Sequence, residues 1–143
     1  MSIVFLSLGS SIGNSCGILL DAIDNLKLLG EVEKTSSFYE SAPVGGVAKN
    51  MFLNCCIRLN TTLSPEKLLD ECQNIEKKHG RTRNKKWEDR TLDIDIITYD
   101  NIELNSPSLI IPHPLAYKRD FVLKPLSDIA DFEILDKKVK IKF

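Results

Sequence analysis

Apolar and polar positions divide this chain into alternating strand-like and helix-like stretches. "IVFLSLG" (Ile3 to Gly9) is a near-continuous apolar run closed by glycine, the pattern of a buried opening strand. From about Ser15 the period changes. Leu19, Ile23, Leu26 and Leu29 recur at helical spacing, and Gly30 fits the position just past the helix end. "EVEKTSSFYES" predicts a polar, edge-like strand, "APVGGVAKN" (Ala42 to Asn50) a turn-rich loop, and "MFLNCCIRL" (Met51 to Leu59) a strong strand. "LSPEKLLDECQNIEKKHG" carries the clearest helix signal. Ser64 suits the N-cap, Pro65 the first turn and Glu66 the positive end of the dipole; Leu68, Leu69, Cys72 and Ile75 form a stripe; Lys77 and Lys78 sit in the last turn before Gly80. After a further strand, "TYDN" reads as a turn, followed by a short strand and the loop "SPSLIIPHP". A brief helix is expected around Leu115 to Arg119, and "FEILDKKVKIKF" reads as a hairpin. The order β-α-β-β-α-β with C-terminal additions predicts one α+β domain over residues 1–143, a sandwich of helices packed on a mostly antiparallel sheet.

One strand breaks the apolar rule. In "DRTLDIDIITYDN" (Asp89 to Asn101), Leu92, Ile94, Ile96 and Ile97 call for a core, whereas Asp93 and Asp95 do not. Residues two apart on a strand share a face. Asp93, Asp95, Ile97 and Tyr99 are therefore expected on one side, with Leu92, Ile94, Ile96 and Thr98 on the other. The two Cα atoms should lie roughly 6.5 Å apart at about 3.3 Å rise per residue. That spacing lets both carboxylates share one cation or bracket two, and oxygen-only ligands favour magnesium over zinc. An exposed strand face with two solvated acids has the same pattern, so Asp-x-Asp alone does not choose between them.

Charge changes that picture locally. The net charge is -1, with 43% hydrophobic and 27% charged residues, so a general affinity for nucleic acid or membrane is not indicated. Yet "KKHGRTRNKKWEDR", residues 77–90, holds seven Lys or Arg against two acids and runs straight into the aspartate strand. Such a run is either a solvated loop or a phosphate site. Arginine forks suit phosphate oxygens, and acids for metal beside arginines for phosphate are what a Mg-nucleotide site needs. No G-x-x-x-x-G-K-[ST] and no G-x-G-x-x-G is present, which argues against a P-loop or dinucleotide fold. Cys16, Cys55, Cys56 and Cys72 show no zinc spacing and read as free thiols of a reducing cytoplasm. "MSIVFLSLGS" lacks a basic leader, so no signal peptide is expected.

Taken together, "FLSLGSSIG", "SSFYESAPVG", "MFLNCCIRL", "IEKKHGRTR", "RTLDIDII", "IPHP" and "KRDFVLKPL" resemble the 6-hydroxymethyl-7,8-dihydropterin pyrophosphokinase family of folate biosynthesis. The resemblance implies a ferredoxin-like α+β fold and transfer of pyrophosphate from ATP to the pterin hydroxymethyl group, releasing AMP. It implies that Asp93 and Asp95 bind metal, two Mg2+ ions being expected, and that Arg81 and Arg90 act with them in catalysis. Gln73, Glu76, Arg83, Trp87, Ile96, His113 and Arg119 match the ATP-binding positions. Asn54 matches the residue that reads the pterin edge, Phe52 and Phe121 the rings that sandwich it, and Ser41, Ala42, Pro43, Val44 and Gly45 the loop that closes the pocket.

Glu88 and Asp89 depart from the family's usual Gly-Pro before the arginine of "RTLDID", which bears on the shape of that loop. The basic segment 81–90 is expected to order over the triphosphate, with Gly80 as its hinge. The implied reaction is in-line attack by the pterin hydroxymethyl oxygen on the β-phosphorus, with the metals aligning the two oxygens. Two rivals remain at this point: another Mg-dependent nucleotidyl or phosphoryl transferase, and an RNA-binding ferredoxin-like module. The latter needs exposed aromatics on its central strands, and "IVFLSL" offers only Phe5. A cytoplasmic monomer working on ATP and 6-hydroxymethyl-7,8-dihydropterin, without nucleic acid or membrane, is the expectation.

Overall fold

In β1 (Ser2–Ser10) every residue from Val4 onward is buried, because both faces of this strand are covered. The computed structural model describes residues 1–42, 50–80 and 91–143. β1 is the middle of the sheet. It pairs antiparallel with β4 (Phe52–Thr61) on one side and β5 (Asp93–Tyr99) on the other. β2 (Glu31–Thr35) and β3 (Tyr39–Ser41) both pair with β4, and the strand order is β2-β4-β1-β5. This is the mostly antiparallel sheet that the element order implied, in the ferredoxin-like arrangement that the family resemblance implied.

α1 (Ser15–Leu26) and α2 (Pro65–Lys78) cover one face. Their buried residues Leu19, Ala22, Ile23, Leu26, Leu68, Cys72 and Ile75 pack against Val4, Leu6, Leu8, Ile57 and Leu59. Both helices start on a side-chain cap: Asn14 accepts from Gly17 N at 3.1 Å, and Ser64 from Lys67 N at 3.2 Å. Gly80 adopts φ 75° just beyond α2, the left-handed C-terminal role expected of it. Gly30 does not do the same for α1, which ends at Leu26 with Lys27 as its C-cap. A Cβ at Gly30 would lie 2.2 Å from the Asn60 carbonyl oxygen, so this glycine is required by close backbone approach.

Three sequence expectations change. First, "EVEKTSSFYES" is two strands. At the break, Ser36 N donates to Cys56 O at 2.9 Å while Ser36 Oγ accepts from Cys56 N at 2.8 Å. The hydroxyl replaces a main-chain acceptor, so pairing with β4 resumes at Tyr39 with a bend. Second, β1 does not end at Gly9 but runs through it to Ser10.

Third, α3 (Asp120–Ile129), which no local sequence signal announces, follows the short 3-10 helix found at Ala116–Lys118. Pro125 disguised it, since an interior proline costs about 3 kcal/mol. Val122, Leu126 and Ile129 are buried on one stripe, and at about 1.5–3 kcal/mol per side chain their burial outweighs that cost.

α3 lies on the other face of the sheet, over Phe5, Cys56 and Ile97. There it is joined by the predicted hairpin, β8 (Asp131–Leu135) and β9 (Lys138–Lys142). Asp136 and Lys137 turn the hairpin with φ 50° and 62°, the two left-handed residues of a type I′ turn. Asn101 anchors it by donating to Ile141 O at 2.8 Å and accepting from Ile141 N at 3.0 Å. Helices therefore pack on both faces. β6 (Leu104–Asn105) and β7 (Ile110–Ile111) form a small separate ladder whose Leu104 and Ile111 join the core on the α1 and α2 side. Among the described residues, no helix is long and apolar enough to cross a membrane.

Candidate active site

Register decides which polar groups meet. Across the sheet, Asp93 stands opposite Gly9, Gly9 opposite Asn54, and Asn54 opposite Tyr39. In the next row on the same face, Asp95 is opposite Ser7 and Ser7 opposite Cys56. Neighbouring strands are about 4.8 Å apart, so the acidic strand and Asn54 are separated by roughly 10 Å of sheet surface. α3 crosses near the second row, where Cys56 Sγ lies 3.6 Å from Val122 O.

The acidic face is as expected near the site and changes further along. Leu92, Ile94 and Ile96 join the core under α1 and α2, leaving Asp93 and Asp95 on the opposite side. Between Phe5 and Leu6 the pairing with β5 shifts by one, which makes Ile97 a bulge. The shift reverses the alternation: Ile97 packs on the α3 side, and Tyr99 joins Leu92, Ile94 and Ile96 instead of the aspartates. Tyr99 is pinned there by donating its hydroxyl to Leu63 O at 2.7 Å.

Asp95 keeps 44% of its side chain exposed, and His113 Nε2 stands 4.0 Å from its Oδ2. His113 is held from both ends. Its main-chain N donates to Ile97 O at 2.9 Å, and its Nδ1 accepts from Leu115 N at 3.2 Å. An accepting Nδ1 puts the ring proton on Nε2, facing Asp95. Burial lowers the His113 pKa, Asp95 opposes that and Arg119 adds to it, so the imidazole is held neutral to lower pH than an exposed histidine. Arg119 sits over the Phe121 ring at 5.5 Å, on the first turn of α3.

Glu76 has a place that sequence spacing could not show. It is 3% exposed on α2, and its Oε2 accepts from Ile94 N at 2.8 Å. The carboxylate thus clips the main chain of β5 at the residue between the two aspartates. Gln73, three residues earlier on α2, is half-buried. Ile96 is only 4% exposed and its side chain belongs to the core on the helix side, away from the aspartate face.

On the other flank, Asn54 is 3% exposed. Its Nδ2 donates to Ser41 Oγ at 2.8 Å and Tyr39 O at 3.2 Å, with a longer contact to Phe52 O at 3.5 Å. Phe52, Ser41 and Phe121 are half-buried and Ala42 is exposed. Tyr39 is tied in turn to the far end of α3, its hydroxyl lying 2.8 Å from Asp128 Oδ2, which also accepts from Ser37 N at 3.1 Å.

The structure thus brings together Asp93, Asp95 and His113, and separately Asn54, Ser41 and Phe52, on one face of one sheet. Pro43, Val44 and Gly45, the arginines Arg81, Arg83 and Arg90, and Trp87 lie outside the described residues. So does the expected ordering of segment 81–90.

Strand order, antiparallel pairing and a carboxylate pair beside an anchored amide define the class: a ferredoxin-like α+β domain with a polar site on one sheet face. The particular family follows from comparison. The model of the family described as 7,8-dihydro-6-hydroxymethylpterin-pyrophosphokinase (HPPK) matches residues 5–131, and the chain belongs to that family. It is 43% identical over 145 residues to the bifunctional protein FolKE of Lactococcus lactis subsp. lactis (strain IL1403), covering 98% of this chain and 39% of that protein. It is 40% identical over 130 residues to the 2-amino-4-hydroxy-6-hydroxymethyldihydropteridine pyrophosphokinase of Bacillus subtilis (strain 168), covering 90% and 78%. Among solved structures, Plasmodium falciparum HPPK-DHPS with pteroate shares the fold at a TM-score of 0.69 and 14% identity, over 98% of this chain and 47% of that one. This chain therefore spans well under half of the Lactococcus relative and about half of the Plasmodium chain.

Proposed function

We propose that this protein transfers pyrophosphate from Mg-ATP to the hydroxymethyl group of 6-hydroxymethyl-7,8-dihydropterin, releasing AMP, as a step of folate biosynthesis. The observation that supports the reading is the row Asp93–Gly9–Asn54, which sets the acidic strand and the Asn54 amide about two strand spacings apart. Family membership supplies the chemistry that fits those two halves.

Asp93 and Asp95 suit Mg2+, and two ions are proposed. Both carboxylates lie on one face and offer only oxygen. That suits magnesium, which keeps waters and substrate phosphates among its ligands. When bound, Mg2+ neutralises phosphate charge and polarises the transferred group.

Asp93 and Asp95 would hold the Mg2+ ions, whose charge would draw the polyphosphate to β5. Neutral His113 donates from Nε2 toward the same region, and Arg119 contributes positive charge. Gln73, Glu76, Ile96, Arg83 and Trp87 are assigned to the nucleotide side, and Arg81 and Arg90 to charge stabilisation at the transferred group. Asn54, Phe52, Phe121 and residues 41–45 are assigned to the pterin. The hydroxymethyl oxygen bonds to the β-phosphorus, the bond from that phosphorus to the α,β-bridging oxygen breaks, and AMP leaves with that oxygen. The hydroxyl proton passes to solvent.

Cys16, Cys55, Cys56 and Cys72 are all unbridged, in keeping with the reducing cytoplasm proposed for this protein. Phe5, the aromatic an RNA-binding sheet would need, is fully buried beneath α3, which counts against that reading. The test is product analysis with purified protein, Mg2+ and ATP, with and without the pterin. Pterin-dependent AMP is expected. Release of ADP, or ATP turnover indifferent to the pterin, overturns the proposal.

A further inference from the structure

Gly9 has no conformational reason to be glycine. It lies inside β1, and its φ is not in the left-handed region, so alanine could adopt the same backbone. Glycine within a strand is destabilising relative to alanine because it orders a freer chain and packs nothing. On this face β1 otherwise carries side chains, Phe5 and Ser7. The missing side chain therefore serves something other than stability.

Its surroundings say what. Gly9 is the middle member of the row between Asp93 and Asn54. A Cβ there would stand 3.1 Å from Asn54 Oδ1 and 3.7 Å from the Phe52 ring. The first contact is too close to hold without Asn54 moving by a few tenths of an ångström. Asn54 has little freedom to move, because its Nδ2 is clipped to Ser41 Oγ at 2.8 Å and Tyr39 O at 3.2 Å. Any side chain at position 9 would thus displace the carbonyl end of the Asn54 amide while its nitrogen end stays tied to β3.

We propose that Gly9 is a specificity-determining residue, whose absent side chain fixes the Asn54 carbonyl oxygen for a planar heterocycle with a donor-bearing edge and lets that ring approach the sheet between Asn54 and the aspartate strand. The inference rests on the reading of the Asn54 side as the pterin side. Glycine is the residue that permits such close approach of backbone and ligand.

Gly9→Ala and Gly9→Val test it by calorimetry with the pterin and, separately, with a non-hydrolysable Mg-ATP analogue, alongside thermal melting. The alanine variant is expected to weaken pterin binding by at least about tenfold, and valine further, with analogue binding within about twofold of wild type. The alanine variant should still melt cooperatively and close to wild type, since the gain from replacing a strand glycine offsets the strain of moving Asn54. Unchanged pterin affinity in Gly9→Ala, with wild type binding normally, overturns this inference alone. So does a lowered melting temperature with parallel loss of both ligands, which would make Gly9 a structural glycine. A wild-type protein that binds no pterin overturns the parent reading and this inference with it.

Discussion

At the scale of single residues, Asp93 and Asp95 are kept in the site by the same alternation that buries Leu92, Ile94 and Ile96. A strand gives two carboxylates a shared face and a set spacing, which a loop would not. The buried Glu76 carboxylate adds rigidity by holding Ile94 N between them. Asp93→Asn and Asp95→Asn should each leave the fold intact, as judged by circular dichroism. Each should remove several kcal/mol of transition-state stabilisation, a loss of roughly a thousandfold in AMP release at about 1.4 kcal/mol per tenfold. A variant retaining more than about a tenth of wild-type turnover at saturating magnesium would show that its aspartate is no metal ligand. Alternation predicted the aspartate face correctly as far as Ile97 and failed beyond it. The bulge at Ile97 arises from how β5 is laid against β1, and no residue type in "IITYD" announces it.

At the scale of elements, two glycines look alike in sequence and differ in physics. Gly80 is needed for its dihedrals: φ is 75° and nothing lies within 4 Å of its missing Cβ. Gly30 is needed for space, with a Cβ 2.2 Å from Asn60 O. Asparagine tolerates the left-handed region but not a collision with backbone. Gly80→Asn should therefore cost well under about 1 kcal/mol in urea unfolding, whereas Gly30→Asn should cost about 1–3 kcal/mol or prevent folding. Equal midpoints for the two variants would contradict this division. Caps and periodicity made α1 and α2 readable, because those signals lie within a few residues of each other. α3 was not readable, since local propensity at Pro125 opposes it and only burial against the sheet decides for it.

At the scale of the molecule, one sheet separates two cores, and the buried thiols report on both. Cys55 and Cys72 lie on the α1 and α2 side, Cys56 beneath α3, while Cys16 is exposed. Burial raises the Cys55 and Cys72 pKa values from 9.0 to about 12, and that of Cys56 further still. Unfolded thiols lose their protons near 9.0, so the stability these groups contribute is complete below that value and is lost as pH rises toward 12. At neutral pH a thiol reagent should modify Cys16 rapidly and the three buried cysteines only through unfolding. If residues 1–143 form one cooperative domain, as proposed, all three should become reactive at the urea midpoint of the helix signal. Earlier reaction of Cys56 than of Cys72 would show that the two faces unfold separately.

What the sequence by itself determined was the β-α-β-β-α-β order of the core, the two capped helices, the acidic strand and the terminal hairpin, all of which rest on periods and caps within a few residues. Only the tertiary structure decided that Gly9 stands between Asp93 and Asn54, that Glu76 clips Ile94, that His113 reaches Asp95, and that α3 closes the second face. These contacts join residues distant along the chain, and they depend on strand register and packing, which no local pattern of side chains specifies.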